Sequence, residues 1–164
     1  MAGRITASED QLRPDPVHND LVLSKFINCV MQDGKKSAAQ RCVYGALGLI
    51  DERLAKSKAE DKPENALVVF HMAVDNLKPY VEVRSKRIGG ANYQVPIPVK
   101  RKRQQSLAFR WLIQAARSEK GRPMGSRLAD EIVAAAKKEG KAMATREQTH
   151  RMAEANKAFA HFAK

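Results

Sequence analysis

Residues Tyr80 to Arg103 read YVEVRSKRIGGANYQVPIPVKRKR. Val81 and Val83 alternate with Glu82 and Arg84. Beyond Gly89-Gly90, the residues Tyr93, Val95, Ile97 and Val99 alternate with Asn92, Gln94, Pro96 and Pro98. A period of two on both sides of a two-glycine turn is the pattern of a β-hairpin. The prolines say what kind. In a strand, the N–H groups of residues i and i+2 point to the same lateral side, so Pro96 and Pro98 remove two donors from one edge, and that edge cannot join a larger sheet. The expectation is an isolated two-stranded ribbon over about residues 80–99. A lone ribbon is marginal in water, so this one needs helices at its base or a partner.

Outward from the ribbon the periodicity is helical. Residues 1–19 read as an extended N-terminal tail, with Pro14-Asp15-Pro16 forcing extended or turn geometry. Asn19 or Asp20 can cap a helix carrying Leu21, Val22, Lys25, Phe26, Cys29 and Val30 at helical spacing. Asp33 to Lys36 (DGKK) is a loop, and Ser37 to Leu54 a second helix. The charged stretch Lys56 to Pro63 interrupts the pattern, with Pro63 suited to the first turn of the next helix. Leu67, Phe70, Val74 and Leu77 then form an apolar stripe ending at Pro79. Past the ribbon, Lys102 to Arg117 turns helical, with Leu107, Trp111, Leu112 and Ala115 facing a core. Ser118 to Ser126 reads as a loop and Leu128 to Lys138 as a short helix ended by Gly140. Thr145 with Gln148 forms a possible capping box opening a last helix, TREQTHRMAEANKAFAHF. The fold class is mainly α: one domain over residues 20–164, about six helices with a protruding two-stranded β-ribbon. The 164 residues are enough for one domain with a core.

The chain carries a net charge of +12. From Lys78 to Arg127 there are 13 Lys or Arg and only two acids, Glu82 and Glu119, a net +11, so these 50 residues hold nearly all of the excess. One sign concentrated this strongly marks a surface for a polyanion, nucleic acid before acidic membrane. Arg103, Arg110 and Arg117 are seven apart and fall on one helix face. No apolar run reaches the ~20 residues that would span a bilayer, and the start, MAGRITASEDQLRPDP, has no signal-peptide core. Cys29 and Cys42 lie in apolar helical patterns and read as buried free thiols.

Catalytic signals are absent. There is no GxxxxGK[ST] and no GxSxG, and Gly89-Gly90 is a turn. His150, Glu154 and His161 share a helix face, but eleven residues of helix rise about 16 Å, too far for one metal ion. His150 reads instead as a local partner of Glu154, His71 as a satisfied core histidine, and the pairs Glu60-Asp61 and Asp130-Glu131 as solvated faces. The reading is non-enzymatic, with no catalytic residues, cofactor, metal or small-molecule substrate and no membrane partner. Two nucleic-acid geometries compete. A ribbon with proline near its tip and basic flanks could enter a DNA minor groove, as architectural DNA-bending proteins do. Alternatively, ribbon and helices could grip the phosphates and shape of structured RNA. Aromatics at 5% argue against a base-stacking platform like that of an RRM.

Five motifs lead further: LRPDP (Leu12 to Pro16), DGKKS (Asp33 to Ser37), VEVRSKRIGGANYQVPIPV (Val81 to Val99), RWL (Arg110 to Leu112) and HRMAEANKAFAHF (His150 to Phe162). Together they resemble the bacterial-type small-subunit ribosomal protein seven family from about Leu12 to the end. The resemblance implies a cytoplasmic protein of the small ribosomal subunit that binds small-subunit rRNA at junctions of the 3′ major domain and nucleates assembly of the head. It implies that the ribbon tip and C-terminal helix lie near exit-site tRNA, with small-subunit proteins nine and eleven as neighbours. Carried over by motif, Lys35, Lys36, Lys86, Arg87, Lys100, Arg101, Lys102 and Arg103 meet rRNA, joined by Arg110 and Arg117 of the basic helix face. Gly89, Gly90, Asn92, Tyr93 and Arg146 approach the tRNA, and the face of Arg151, Glu154 and Asn156 packs on a neighbouring protein or RNA. The family usually opens with a dense Arg-Lys run. Here residues 1–13 hold only Arg4 and Arg13, against Glu9 and Asp10.

Overall fold

The computed structural model describes residues 12–56 and 63–163. The stretches read as the beginning of the tail and as the Lys56 to Pro63 connection, with Arg4 and Glu60-Asp61, lie largely outside these residues. Helix α1 spans Leu21–Val30 and opens on Asp20, whose Oδ1 accepts the Leu23 N–H at 2.5 Å. Of the two cap candidates Asp20 is the one used. Its other oxygen meets His71 Nε2 at 3.0 Å, so one carboxylate both caps α1 and ties it to α3, Ala66–Leu77. His71 is thereby satisfied, although it is half-exposed rather than a core residue. Leu23, Phe26, Ile27 and Val30 turn inward at spacings of three and four. That face leaves Cys29 outside, and it is exposed; Cys42 is half-buried. Both thiols are free, but neither is the buried residue expected.

Helix α2 runs over Lys36–Lys56 and α4 over Arg101–Ser118. Helix α3 is capped by Asn65, whose Oδ1 accepts the Val68 N–H at 2.9 Å, so Pro63 lies ahead of the helix and not in its first turn. Helix α5, Met124–Ala136, packs against α2, α3 and α4. A Cβ on Gly125 would stand 3.1 Å from the Cys42 carbonyl oxygen, a tight contact, so the close crossing of α5 on α2 favours a glycine there. At the centre the rings of Phe26, Phe70 and Phe109 meet, Phe26 lying 5.1 Å from Phe70 and 5.2 Å from Phe109, all three fully buried.

The described part of the N-terminal segment rests on this body. Asp15 is only 3% exposed. Its Oδ2 accepts the N–H groups of Val17 and His18, and its Oδ1 accepts the Tyr44 hydroxyl at 2.6 Å. Burial, with that hydrogen bond, pushes the Tyr44 hydroxyl up to about 12.

Helix α6 spans Lys141–Ala155 and is followed by a 3-10 segment, Lys157–Ala163. Three local readings change here. Gly140 does not end α5. That helix stops at Ala136, Lys138 takes the left-handed conformation at φ 63°, and Gly140, at φ 94°, is the N-cap of α6. Thr145 lies inside α6, donating its hydroxyl to the Lys141 carbonyl at 2.9 Å, and so is not a cap. The cap comes from another helix: Glu131 Oε1 accepts the Ala142 N–H at 2.7 Å. Glu131 is therefore buried, not solvated. Its carboxylate would stand 2.8 Å from a Cβ on residue 140, a second reason for glycine there.

The ribbon pairs β1, Val81–Ile88, antiparallel with β2, Ala91–Pro98. Gly89 (φ 57°) and Gly90 (φ 88°) are both left-handed, which a type I′ two-residue turn requires. Such a turn makes Ile88 and Ala91 a hydrogen-bonded pair, and every second pair after it. Pro96 and Pro98 stand opposite Val83 and Val81, in the pairs between, so their ring nitrogens face outward as the sequence implies.

Candidate nucleic-acid interface

Alternation gives the ribbon two unlike faces. Glu82, Arg84, Lys86, Tyr93, Val95 and Ile97 share one, which packs on α6 and the 3-10 segment. Tyr93 lies 5.2 Å from Phe159 and 5.6 Å from Phe162, ring centre to ring centre, and Lys86 Nζ donates to the Phe162 carbonyl at 2.8 Å. Arg87 and Asn92 are cross-strand partners on the opposite face, fully open. The structure thus separates Lys86 from Arg87, and Tyr93 from Asn92. The C-terminal aromatic clasp was not foreseen. Asn156, with its side chain on the Met152 carbonyl at 2.8 Å, ends α6 inside what the sequence presents as one continuous helix.

At the ribbon root Arg84 and Arg103 share the carboxylate of Glu82, with Arg84 Nε at 2.7 Å and Arg103 Nε at 3.1 Å. Burial pushes this carboxyl up, but the hydrogen bonds and charges of the two guanidinium groups outweigh it and hold Glu82 below the usual carboxylate range. Two cations against one anion leave the root positive, and the pair anchors α4 to β1.

Helix α4 begins beside it. Lys100 is the N-cap without a side-chain cap bond, and the first turn contains Arg101, Lys102 and Arg103 and no acid. Cations there oppose the helix dipole, and the first N–H groups lack an intrahelical acceptor. The arrangement costs the free protein stability and suits a bound phosphate. A groove of about 450 Å³ opens here, lined by Lys78, Arg101, Lys102, Gln104 and Gln105. Lys78 also pairs with Asp75 at 2.6 Å.

From Arg103 to Arg117 is fourteen residues, about 21 Å of helix. Arg110, between them, is exposed. At the far end Arg117 donates to the Val30 carbonyl at 3.2 Å, and with Lys35 it lines a cavity of about 470 Å³ at the loop between α1 and α2. Lys35 and Lys36 are exposed there, Lys36 opening α2, again with no acid in the first turn. The stripe therefore joins the ribbon root to the DGKK loop. Other cations of the basic window are spent internally. Arg122 pairs with Asp130 and Glu119, and Arg127 donates to the Glu119 carbonyl.

Gly89, Gly90 and Asn92 form the exposed tip. Arg146 sits at the other end: its Nε donates to the Lys78 carbonyl at 3.4 Å, ahead of β1, whose eight residues, about 26 Å, separate it from the tip. Arg151 and Glu154 are exposed on α6, Glu154 meeting Lys157 at 3.3 Å. His150 does not pair with Glu154. It packs against Tyr80, with ring centres 4.0 Å apart and planes tilted by 40°. Burial, with the charge of Arg146, pulls its pKa below the ordinary 6.5. Among the described residues no three His, Cys, Asp or Glu side chains are grouped to hold a metal, and no helix is long and apolar enough to cross a membrane.

A helical body with cations gathered at a ribbon root and along one helix is the architecture of a nucleic-acid-binding protein. The family described as ribosomal protein S7p/S5e matches residues 2–157. The small ribosomal subunit protein uS7 of Rhodopirellula baltica is 58% identical over 161 residues, covering 98% of this chain and 99% of the relative. Those of Thermotoga neapolitana and Methylobacterium radiotolerans are 52% and 49% identical, covering 97% and 99% of both chains. The chain belongs to the ribosomal protein S7p/S5e family, a family of structural, non-enzymatic proteins.

Proposed function

We propose that this chain is a structural constituent of the small ribosomal subunit in the cytoplasm, and a primary binder of its rRNA. Family membership supports the ribosomal role. The observation that carries RNA binding is the start of α4, where Lys100 to Arg103 crowd a helix N-terminus that has no side-chain cap. A local arrangement that works against the folded protein is retained where a ligand repays it. On this reading the ribbon root, the Arg103–Arg110–Arg117 stripe and Lys35 with Lys36 clamp phosphates of the 3′ major domain, with Arg87 reaching RNA from the open ribbon face. Lys86 contributes from the clasped side. Binding at both ends of α4 orders that RNA and nucleates the head.

The exposed tip, Gly89 to Asn92, reaches exit-site tRNA, with Tyr93 positioning it from behind. Arg146 supports the ribbon root on this reading and approaches the same tRNA through α6. The face of Arg151, Glu154 and Asn156 receives a neighbouring protein, nine or eleven of the small subunit, or RNA. Architectural DNA bending is the weaker reading. It needs a proline wedge at the ribbon tip, and Pro96 and Pro98 lie towards the root, opposite Val83 and Val81.

The test is a filter-binding titration at two salt concentrations against the 3′ major domain of small-subunit rRNA, an unrelated folded RNA and duplex DNA. The first should be preferred, and the preference kept at the higher salt. Arg110→Ala and Lys36→Ala should each weaken binding and lower the salt slope by ~1. Equal binding to all three ligands, collapsing together with salt, would overturn the reading.

A further inference from the structure

Eight of the nine Phe, Tyr and Trp side chains are accounted for by packing. Phe26, Phe70, Phe109 and Trp111 are buried, Tyr44 is bonded to Asp15, and Tyr93, Phe159 and Phe162 form the clasp. Tyr80 differs. It is 64% exposed, the one such ring presented openly to solvent among the described residues. It is also held: its carbonyl accepts the Val99 N–H at 3.0 Å, closing the ribbon root, and one side of its ring rests on His150. A rigid, backed aromatic with an open side binds at low entropic cost.

Its surroundings say what it binds. Arg146 lies one helical turn before His150 on α6 and reaches across to the Lys78 carbonyl. Arg84 lies four residues along β1 on the same ribbon face, its side chain 58% exposed. The apolar neighbours on its own face are Val99, directly across the strands and packed against the core, and Ile97; both are half-buried, so neither extends the ring as an exposed apolar surface. An open aromatic with a guanidinium group on the same ribbon face matches a base with a phosphate beside it.

We propose that Tyr80, backed by His150, is a stacking site for one unpaired nucleobase of the bound RNA, with a phosphate of the strand held by Arg84. This rests on the rRNA-binding reading above and adds a contact of different chemistry. Stacking is an interaction with a base face, which A-form duplex does not offer, so the site selects a bulged, looped or terminal nucleotide.

The experiment uses the full chain and the 3′ major domain RNA at two salt concentrations. Tyr80→Ala should weaken binding about 5- to 150-fold, the range for loss of one base–aromatic stack. Its salt slope should stay that of the wild type, because no phosphate contact is lost. Tyr80→Phe should bind as the wild type does. With thiouridine-substituted RNA, irradiation of the wild-type complex should crosslink the peptide bearing Tyr80. Wild-type affinity in Tyr80→Ala, an equal loss in Tyr80→Phe, or a slope that falls with affinity would each overturn the stacking site, the last by showing that the ribbon root and its arginines had moved. Those outcomes leave the rRNA reading standing. Failure of the wild-type chain to prefer this RNA would remove both.

Discussion

In the body, three phenylalanine rings meet in a buried core and α5 packs against α2, α3 and α4. Along the ribbon only Glu82, Val95 and Pro96 are buried, and the strands lean on a 3-10 segment none of whose residues is buried. The body is held by a continuous buried core, whereas the ribbon is held by a few ring contacts, one shared carboxylate and the hydrogen bonds of Lys86 and Arg146. It can loosen without unfolding what it is attached to. The parts proposed to meet RNA span both regions: Arg110, Arg117, Lys35 and Lys36 are fixed on the body, and the ribbon and its root supply contacts where adjustment to a ligand costs least.

The largest effect should come from the core. Phe70→Ala should lower global stability by about 3–5 kcal/mol, read as a shift in the denaturant midpoint. Tyr93→Ala removes two ring contacts worth ~0.5–1.5 kcal/mol each beyond buried area. It should leave that midpoint nearly in place while speeding hydrogen exchange across β1 and β2. A midpoint shift as large as that of Phe70→Ala would break the distinction between the two regions.

Acid should act more mildly, and at the ribbon root through Glu82. Glu82 is held below its ordinary 4.5, so its contribution is complete above that value and is lost as pH falls through the lower, folded one. NMR signals of the ribbon root should shift in that window, and Glu82→Gln should remove the step. The smallest effect belongs to His150. Its pKa too is depressed, so the unfolded chain takes up a proton first, and the stability it contributes is whole above 6.5 and declines as pH falls below. The Tyr80 ring signals should report that decline, and His150→Phe should abolish it.

The ribbon was legible almost to the residue, because a two-residue period and a glycine pair are local signals and nothing distant competes with them. The core stripe of α4 was legible for the same reason. What was missed depends on contacts between distant residues. Thr145 and Gln148 make a plausible cap on paper, but Glu131, from the preceding helix, caps α6 four residues earlier. His150 and Glu154 have ideal helical spacing, yet Tyr80, seventy residues away, takes the imidazole. The charge window marked the basic surface, and its count ran high because Arg122 and Arg127 are engaged within the fold. The clasp has one signal that could have been read: Tyr93, Phe159 and Phe162 are three aromatics in a chain with few, and two of them lie near its end.

Among the described residues, none of the helices α1 to α6 has an acid in its first turn, and α2, α4 and α6 begin on Lys or Arg. Added to a charge of +12, this makes the free chain a molecule under electrostatic tension. Dissolved salt relieves that tension by screening it, and the same ions compete for the phosphates. Heat resistance of the free protein should therefore climb with ionic strength while its grip on RNA declines. A buffer chosen to keep this protein intact on the bench is the wrong one for keeping it on its ligand.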